Sequence, residues 1–298
     1  MYLEHFGLRE FPFSITPDTA FAFRSRAQQR ALSALLVAFQ LGEGFVKVVG
    51  EVGTGKTLLC RRLLARLKGR AVTAYLPNPS MSPRGLMAAL ASELRLEVPA
   101  RASEYELRSR IERALIGHSI RGVPVVVCLD EAQTMPAASL EQLRLLSNME
   151  TEKAKLMQLV LFGQPELENR LAERAVRQLR QRITVSIRLK PMRETEIDAY
   201  LRHRLEVAGS ARPDLFEPAA VRALTAASAG VPRLVNIIAN KSLMVAYGRG
   251  LPRVGIDETW CAVRDTEDHR QERLFQLPSW AGRGLLTTQD AFNQGLRP

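Results

Sequence analysis

The 298-residue sequence has no apolar run near the roughly 20 residues that a membrane-spanning helix needs. Its opening residues lack the basic-then-apolar order of a secretory signal, so we expect no such signal. The 3 cysteines, Cys60, Cys128 and Cys261, are widely spaced and form no CxxC pair, which excludes a disulfide framework and a zinc knuckle. We therefore expect a soluble, cytoplasmic chain with no direct membrane insertion.

Lysine is also scarce: of the 42 basic residues, 7 are lysines and 35 are arginines, and the net charge is +11. Such a bias is typical either of genomic base composition or of a protein with a phosphate-rich partner. The charge is concentrated in residues 170–204, which hold ten basic and four acidic residues, a local charge of +6. This stretch suits nucleic acid or the nucleotide of a neighbouring subunit, and composition leaves both open.

Short β-rich runs alternate with longer helical stretches between residues 44 and 190. We predict strands over residues 45–49, 71–76, 125–129, 156–162 and 184–189. The stretches between them have the apolar period of helices: residues 58–67, 84–94, 104–119, 140–148 and 166–180. This alternation predicts an α/β fold in which helices cover both faces of a parallel sheet.

The strand signals stop after residue 191, and the remaining periodic stretches predict helices over residues 194–208, 218–229, 232–246 and 256–266. We therefore expect four regions. They are a lead-in that packs on the core (1–43), an α/β nucleotide-binding domain (44–192), a small helical lid domain (193–268) and an irregular tail (269–298).

A glycine-rich loop lies between the first predicted strand and the helix that follows it. It fits the pattern GxxxxGK[ST] and consists of Gly50, Glu51, Val52, Gly53, Thr54, Gly55, Lys56 and Thr57. The glycines let successive backbone N–H groups and the start of the helix, at Leu58, face a phosphate. Lys56 can reach the β- and γ-phosphates, and the Thr57 hydroxyl can bind Mg²⁺. These residues, called the phosphate loop below, predict a Mg²⁺–nucleotide site.

Two carboxylates, Asp130 and Glu131, directly follow the apolar run 125–129. Such a run predicts a buried strand that ends at the carboxyl edge of the sheet, where nucleotide crevices form. We expect Asp130 to hold Mg²⁺ and Glu131 to polarise the attacking water. A solvated surface pair is the alternative, but a glutamate directly after the aspartate favours hydrolysis over binding alone.

Two amides lie at the ends of other predicted strands. Gln164 follows 156–162, where it can sense the attacking water, unless it is an ordinary loop glutamine. Asn78 follows 71–76 and can hydrogen-bond Glu131 until a partner binds. The alternative for Asn78 is a turn formed by Asn78 and Pro79.

Two sites for catalytic arginines are predicted. Arg182, just before the last strand, can reach the γ-phosphate on a neighbouring subunit, with Arg180 and Arg177 as alternatives. Arg233 follows Pro232 in the first turn of a helix, where a positive charge opposes the helix dipole and so indicates an anionic partner. Solvated helix charge is the alternative for all four arginines.

These motifs resemble those of AAA+ ATPases. The resemblance assigns roles as follows: residues 50–57 as Walker A, Asp130 and Glu131 as Walker B, Gln164 as sensor 1, Arg182 as arginine finger and Arg233 as sensor 2. Residues 2–18 and the strings Leu-Asp-Glu-Ala-Gln and Leu-Phe-Gly-Gln-Pro-Glu-Leu are similar to the ExeA/GspA family of secretion ATPases, especially its group encoded with MSHA type IV pilus genes. Gln164 departs from the Asn, Thr or Ser that is commonest at sensor 1.

The resemblance implies an oligomeric ATPase that uses ATP and Mg²⁺ to assemble a pilus or type II secretion machine. Its expected partners are further copies of the chain, as a ring or filament, and assembly proteins at the inner membrane. The alternative is a DNA-binding regulator of the TniB/TnsC transposition type, with residues 170–204 lining the groove. No stacking aromatics interleave those basic residues, which argues against nucleic acid.

Overall fold

The computed structural model describes residues 2–16, 20–99, 101–149 and 155–266. Within these ranges it contains one five-stranded sheet: Phe45–Val49 (β1), Val72–Leu76 (β2), Val125–Leu129 (β3), Gln158–Gly163 (β4) and Val185–Arg188 (β5). The strand order is β2-β3-β4-β1-β5, and all neighbouring pairs are parallel. The predicted α/β fold with a parallel sheet is confirmed.

Helices cover both faces of this sheet, as expected when central strands such as β3 carry apolar residues on both faces. After a short first helix, Tyr2–His5 (α1), the helices of this part of the chain are Arg26–Gln40 (α2), Lys56–Leu67 (α3), Pro83–Glu93 (α4), Glu104–Ile120 (α5), Ala137–Ser147 (α6), Glu166–Ala172 (α7) and Arg177–Gln181 (α8). One core joins α2 and α3 to alternate strand residues such as Val48 and Cys128. The other core joins α4–α8 to the alternate strand residues that face the opposite side of the sheet, such as Val127 and Leu161.

The single helix predicted over 166–180 is broken, and this prediction is wrong. α7 ends at Ala172, Glu173 is extended (φ −57°, ψ 142°), and a short 3-10 turn precedes α8. The cause is the spacing of the core residues Leu171 and Val176. Five residues apart, they fall on different sides of a continuous helix, so the chain must break for both to be buried.

The helical part of the chain contains Glu194–Val207 (α9), Pro218–Ser228 (α10), Pro232–Gly248 (α11) and Ile256–Arg264 (α12). The described chain separates into two compact units, and its residues up to 25, together with residues 52–54, group with residues 191–266. Residues 26–51 and 55–190 form the unit that contains the sheet. The expected lead-in over residues 1–43 is thus divided between the units, and α2, which the sequence did not predict, lies in the sheet unit. The expected tail, 269–298, lies outside the described residues.

A buried arginine explains why the first residues join the helical unit. Arg204 of α9 donates hydrogen bonds to the carbonyls of Pro12 and Ser14, and its guanidinium lies 4.8 Å from the centre of the Phe21 ring. Phe13 packs in the hydrophobic core of the helical unit. Backbone carbonyls and an aromatic face together solvate a charge that has left water.

In the described part of the chain, none of the helices is long and apolar enough to cross a membrane.

Candidate functional site

The phosphate loop joins the end of β1 to the start of α3, as the sequence predicts. Gly55 precedes α3 with φ 89°, a left-handed conformation that glycine adopts without steric cost. The amide of Gln28 on α2 donates to the Gly55 carbonyl at 3.2 Å, and a Cβ atom at Gly55 would lie 2.5 Å from that amide nitrogen. Helix α2 therefore holds the end of the loop, and only glycine fits there.

Lys56 lies almost fully buried inside this loop. Its Nζ donates to the carbonyls of Gly50 at 2.8 Å and Glu51 at 3.0 Å. Burial lowers the pKa of Lys56, an effect opposed by the carboxylates of Glu131 and Asp130. A cation that has been desolvated among carbonyls and carboxylates gains much from an anionic ligand, so this geometry suits a phosphate.

The Thr57 hydroxyl donates to Oδ2 of Asp130 at 2.6 Å, which joins the start of α3 to the end of β3. The hydroxyl of Tyr75 on β2 lies 3.4 Å from the same oxygen. Burial raises the pKa of Asp130, and the hydrogen bond from Thr57 acts against this rise. Asp130 is 2% exposed, so a cation nearby would offset the cost of its buried charge.

Mg²⁺ prefers oxygen ligands and usually binds through one or two carboxylates together with substrate phosphates. Thr57 and Asp130 provide two such oxygens, and the desolvated Asp130 carboxylate fits a divalent cation. Among the described residues there is no cluster of three or more His, Cys, Asp or Glu side chains that could hold a metal. Phosphate and water would supply the other ligands, as is usual for Mg²⁺.

Glu131 adopts a left-handed conformation (φ 52°, ψ 37°) and begins a short 3-10 turn. Its Oε2 accepts two hydrogen bonds, from Nε2 of Gln133 at 2.6 Å and from Nε2 of Gln164 at 3.0 Å. Oε1 of Gln133 accepts from the backbone N–H of Gln164 at 3.1 Å. The structure thus brings Gln164 to Glu131 at the ends of adjacent strands β3 and β4.

Asn78 does not make the predicted hydrogen bond to Glu131, although the structure describes both residues. Its Oδ1 instead lies 3.3 Å from the backbone nitrogen of Ser80 and 3.4 Å from the Thr134 hydroxyl. Thr134 in turn donates to the carbonyl of Glu131 at 2.8 Å. The Glu131 carboxylate accepts its hydrogen bonds from glutamines, and Asn78 contacts Ser80 and the turn that follows Glu131.

Arg182 follows α8, and its Nη1 lies 3.4 Å from the carbonyl and the hydroxyl of Ser147. Arg180 and Arg177 lie on α8 and are exposed. Arg233 belongs to the other unit, which also includes residues 52–54. The backbone N–H of Arg233 lies 3.3 Å from the Gly53 carbonyl, and its side chain is exposed.

Sequence reasoning missed three residues that contact this site: Gln28, Tyr75 and Gln133. Gln133 carried the clearest signal, because it follows Glu131 by two residues within a recognised motif. Tyr75 and Gln28 contact the site through strand pairing and helix packing, which no local pattern encodes.

A family model described as "AAA domain" matches residues 40–171. The chain is also similar to general secretion pathway protein A of Aeromonas hydrophila, with 41% identity over 291 residues and 97% of the chain. It spans 53% of that protein's length. None of these matches tests a closer relation to the MSHA pilus ATPase MshM.

Solved structures of low sequence identity share the fold. One is Cdc6p from Pyrobaculum aerophilum, with a TM-score of 0.66 and 19% identity over 88% of this chain and 75% of that one. Another is Aeropyrum pernix ORC1 in complex with DNA, with a TM-score of 0.59 and 22% identity over 85% and 69%.

Proposed function

Because this chain is an AAA+ protein of the ExeA/GspA type, we propose that it binds Mg²⁺–ATP at the phosphate loop and hydrolyses it to ADP and phosphate. The observation that carries this proposal is the 2.6 Å hydrogen bond between Thr57 and Asp130. It brings the two halves of a nucleotide site together, with Lys56 on one side and Glu131 on the other. The finer residue roles below belong to the same proposal.

Each polar side chain has a defined task. Lys56 exchanges its loop carbonyls for the β- and γ-phosphates, which are stronger acceptors. Thr57 and Asp130 hold Mg²⁺, which offsets phosphate charge when bound. Glu131 orients and polarises the attacking water, and Gln164 shares in positioning that carboxylate. Arg233 contributes charge toward the nucleotide as sensor 2.

The proposed cellular role is based on the similarity to general secretion pathway protein A. General secretion pathway protein A supports a place in assembly of a type II secretion machine, and the motif resemblance extends this to an MSHA-like type IV pilus. We assign the chain to the cytoplasmic side of the inner membrane, where it forms a homo-oligomer. Arg182 then completes the site of a neighbouring copy, so that the nucleotide state changes the geometry between subunits.

The test is steady-state ATP hydrolysis by the wild-type protein and by Glu131→Gln. We expect wild type to hydrolyse ATP in a Mg²⁺-dependent manner, at a rate that rises with protein concentration. Glu131→Gln should lose at least about 100-fold in kcat and still bind ATP, because general-base catalysis is lost while the phosphate contacts remain. Glu112→Gln, an exposed residue of α5, is the control. Wild-type hydrolysis that survives Glu131→Gln overturns this role.

A second candidate, an ATP-dependent DNA-binding regulator, is favoured by one observation: Arg174, Arg177 and Arg180 are exposed. Duplex DNA titrated into the ATPase assay at two salt concentrations distinguishes the candidates. A large stimulation that falls steeply with salt supports the regulator, because phosphate contacts release counterions. A rate that ignores DNA supports the secretion or pilus ATPase.

A further inference from the structure

One glutamine joins the two strand ends at which the proposed hydrolysis takes place. Gln133 donates from Nε2 to Glu131 at 2.6 Å and accepts at Oε1 from the backbone N–H of Gln164 at 3.1 Å. Gly163, the last residue of β4, lies beside it: a Cβ atom there would lie 2.7 Å from the Leu167 side chain and 3.2 Å from Oε1 of Gln133. A single half-buried side chain therefore connects the Glu131 carboxylate to the end of β4.

The two oxygens of Glu131 are in different situations. Oε2 receives both glutamine amides, whereas Oε1 accepts no hydrogen bond from any residue that the structure describes. The backbone of Glu131 is left-handed, a conformation uncommon outside glycine and asparagine. With one oxygen held by two donors, the carboxylate has a fixed rotation, and its second oxygen is left to accept a proton from water.

We propose that Gln133 is a positioning residue for ATP hydrolysis: it fixes the Glu131 carboxylate by donating to Oε2 and ties it to the end of β4 through the Gln164 backbone. This inference rests on the proposed function and deepens it. Gln133 touches neither phosphate nor water in this role, and it acts only through Glu131.

A side-chain amide suits this task. At this position it must donate to a carboxylate with one atom and accept from a backbone N–H with the other. A glutamate of the same shape has no N–H to donate, and it would place a second negative charge beside Glu131. An alanine makes neither contact. Shape and hydrogen-bond donation can therefore be separated by substitution.

The first experiment compares Gln133→Ala and Gln133→Glu with wild type in ATP affinity, KM and kcat. We expect Gln133→Ala to lower kcat about 10- to 100-fold, the range typical of residues that orient a catalytic group, with KM and ATP affinity within about threefold. Gln133→Glu should lose at least as much, although it keeps the shape. Full activity in Gln133→Glu would overturn the proposal, because only packing would then matter.

Gln142 provides the matched control. It is a buried glutamine of the same unit, and among the described residues its amide hydrogen-bonds only to the sulfur of Met87, at 3.5 Å. Gln142→Ala should keep the wild-type kcat, and thermal unfolding of all variants checks that each is folded. If Gln142→Ala loses kcat as strongly as Gln133→Ala, the loss reflects general loosening of the unit and the proposal fails.

The second experiment places Gln133→Ala in the Glu131→Gln background and measures single-turnover hydrolysis. A residue that acts only through Glu131 adds little to a chain that lacks that carboxylate, so we expect less than about a twofold further loss. A full additional 10-fold loss would overturn the proposal. If wild type itself does not hydrolyse ATP, the proposed function fails. If wild type and Glu131→Gln behave as expected but Gln133→Ala equals wild type, only this inference fails.

Discussion

Two polar regions of the sheet unit differ in how their charges are matched. At the carboxyl edge, Lys56, Asp130 and Glu131 are buried or half-buried, and each has hydrogen-bond partners within the chain. Along residues 174–188, here called the arginine segment, the guanidinium groups of Arg174 and Arg177 are exposed and have no hydrogen-bond or ion-pair partner among the described residues.

The difference indicates what each region lacks. At the edge, donors and carboxylates are held in place by hydrogen bonds within the chain. The arginine segment has charge without a matching anion, and exposed positive charge serves mainly to attract one from outside the chain. We infer that the edge binds and positions the nucleotide within one copy, and that the arginine segment contributes when a second molecule supplies phosphate. Three substitutions test this comparison.

The largest effect is expected for Arg182→Ala. If this residue completes the site of a neighbouring copy, its removal should lower kcat at least about 1000-fold, the scale reported for arginine fingers. ATP affinity should remain within about threefold, because the phosphate loop is intact. The measurement is ATP turnover across a range of protein concentrations, with ATP binding measured in parallel.

Arg177→Ala and Arg180→Ala are the matched variants for that test. Both residues are exposed on α8, whereas Arg182 already contacts Ser147 weakly. If either variant shows the large loss and Arg182→Ala does not, the finger is reassigned within the segment. If Arg182→Ala hydrolyses ATP normally as a monomer, the division between the two regions is wrong.

The next largest effect is expected for Lys56→Ala. Its ammonium is desolvated, and a phosphate is the partner that best offsets that cost. Losing one member of a buried ion pair costs about 3 kcal/mol or more, so ATP affinity should fall at least about 100-fold. Isothermal titration with ATP measures this. Lys68→Ala, an exposed lysine just after α3, should bind ATP like wild type, and unchanged affinity in Lys56→Ala would remove the phosphate loop from the site.

Most of the sheet could be predicted because its signals are local. An apolar run such as Val125–Leu129 is buried at every position, and the carboxylates that follow it lie at the predicted edge. The phosphate loop depends on glycines and on its flanking strand and helix, all adjacent in sequence. The break between α7 and α8 was also readable in principle, since Leu171 and Val176 cannot share one helix face.

The contacts of Glu131 could not be predicted in the same way. Which amide reaches it depends on the left-handed turn at Glu131 and on the pairing of β3 with β4, and neither is encoded in residue spacing. The sequence offered Asn78, two residues after the opposite neighbour β2, as one candidate, while the structure uses Gln133 and Gln164. Side-chain partners across strands are set by register, which is a property of the assembled sheet.

The smallest effect is expected for Glu168→Gln. This change removes the carboxylate that pairs with Arg188, the last residue of the arginine segment. Glu168 contacts Lys47 at 3.0 Å and Arg188 at 2.7 Å, and the hydrogen bond from Lys47 lowers its pKa below the ordinary 4.5. A lowered carboxyl pKa stabilises the folded chain at neutral pH, and this stability is lost as pH falls through the folded-state pKa. Urea unfolding at pH 7 should show a loss of about 1 kcal/mol, which shrinks below pH 4.5. Exposed Glu112→Gln should show neither effect, and a loss that is constant with pH would mean that packing, not charge, holds Glu168 in place.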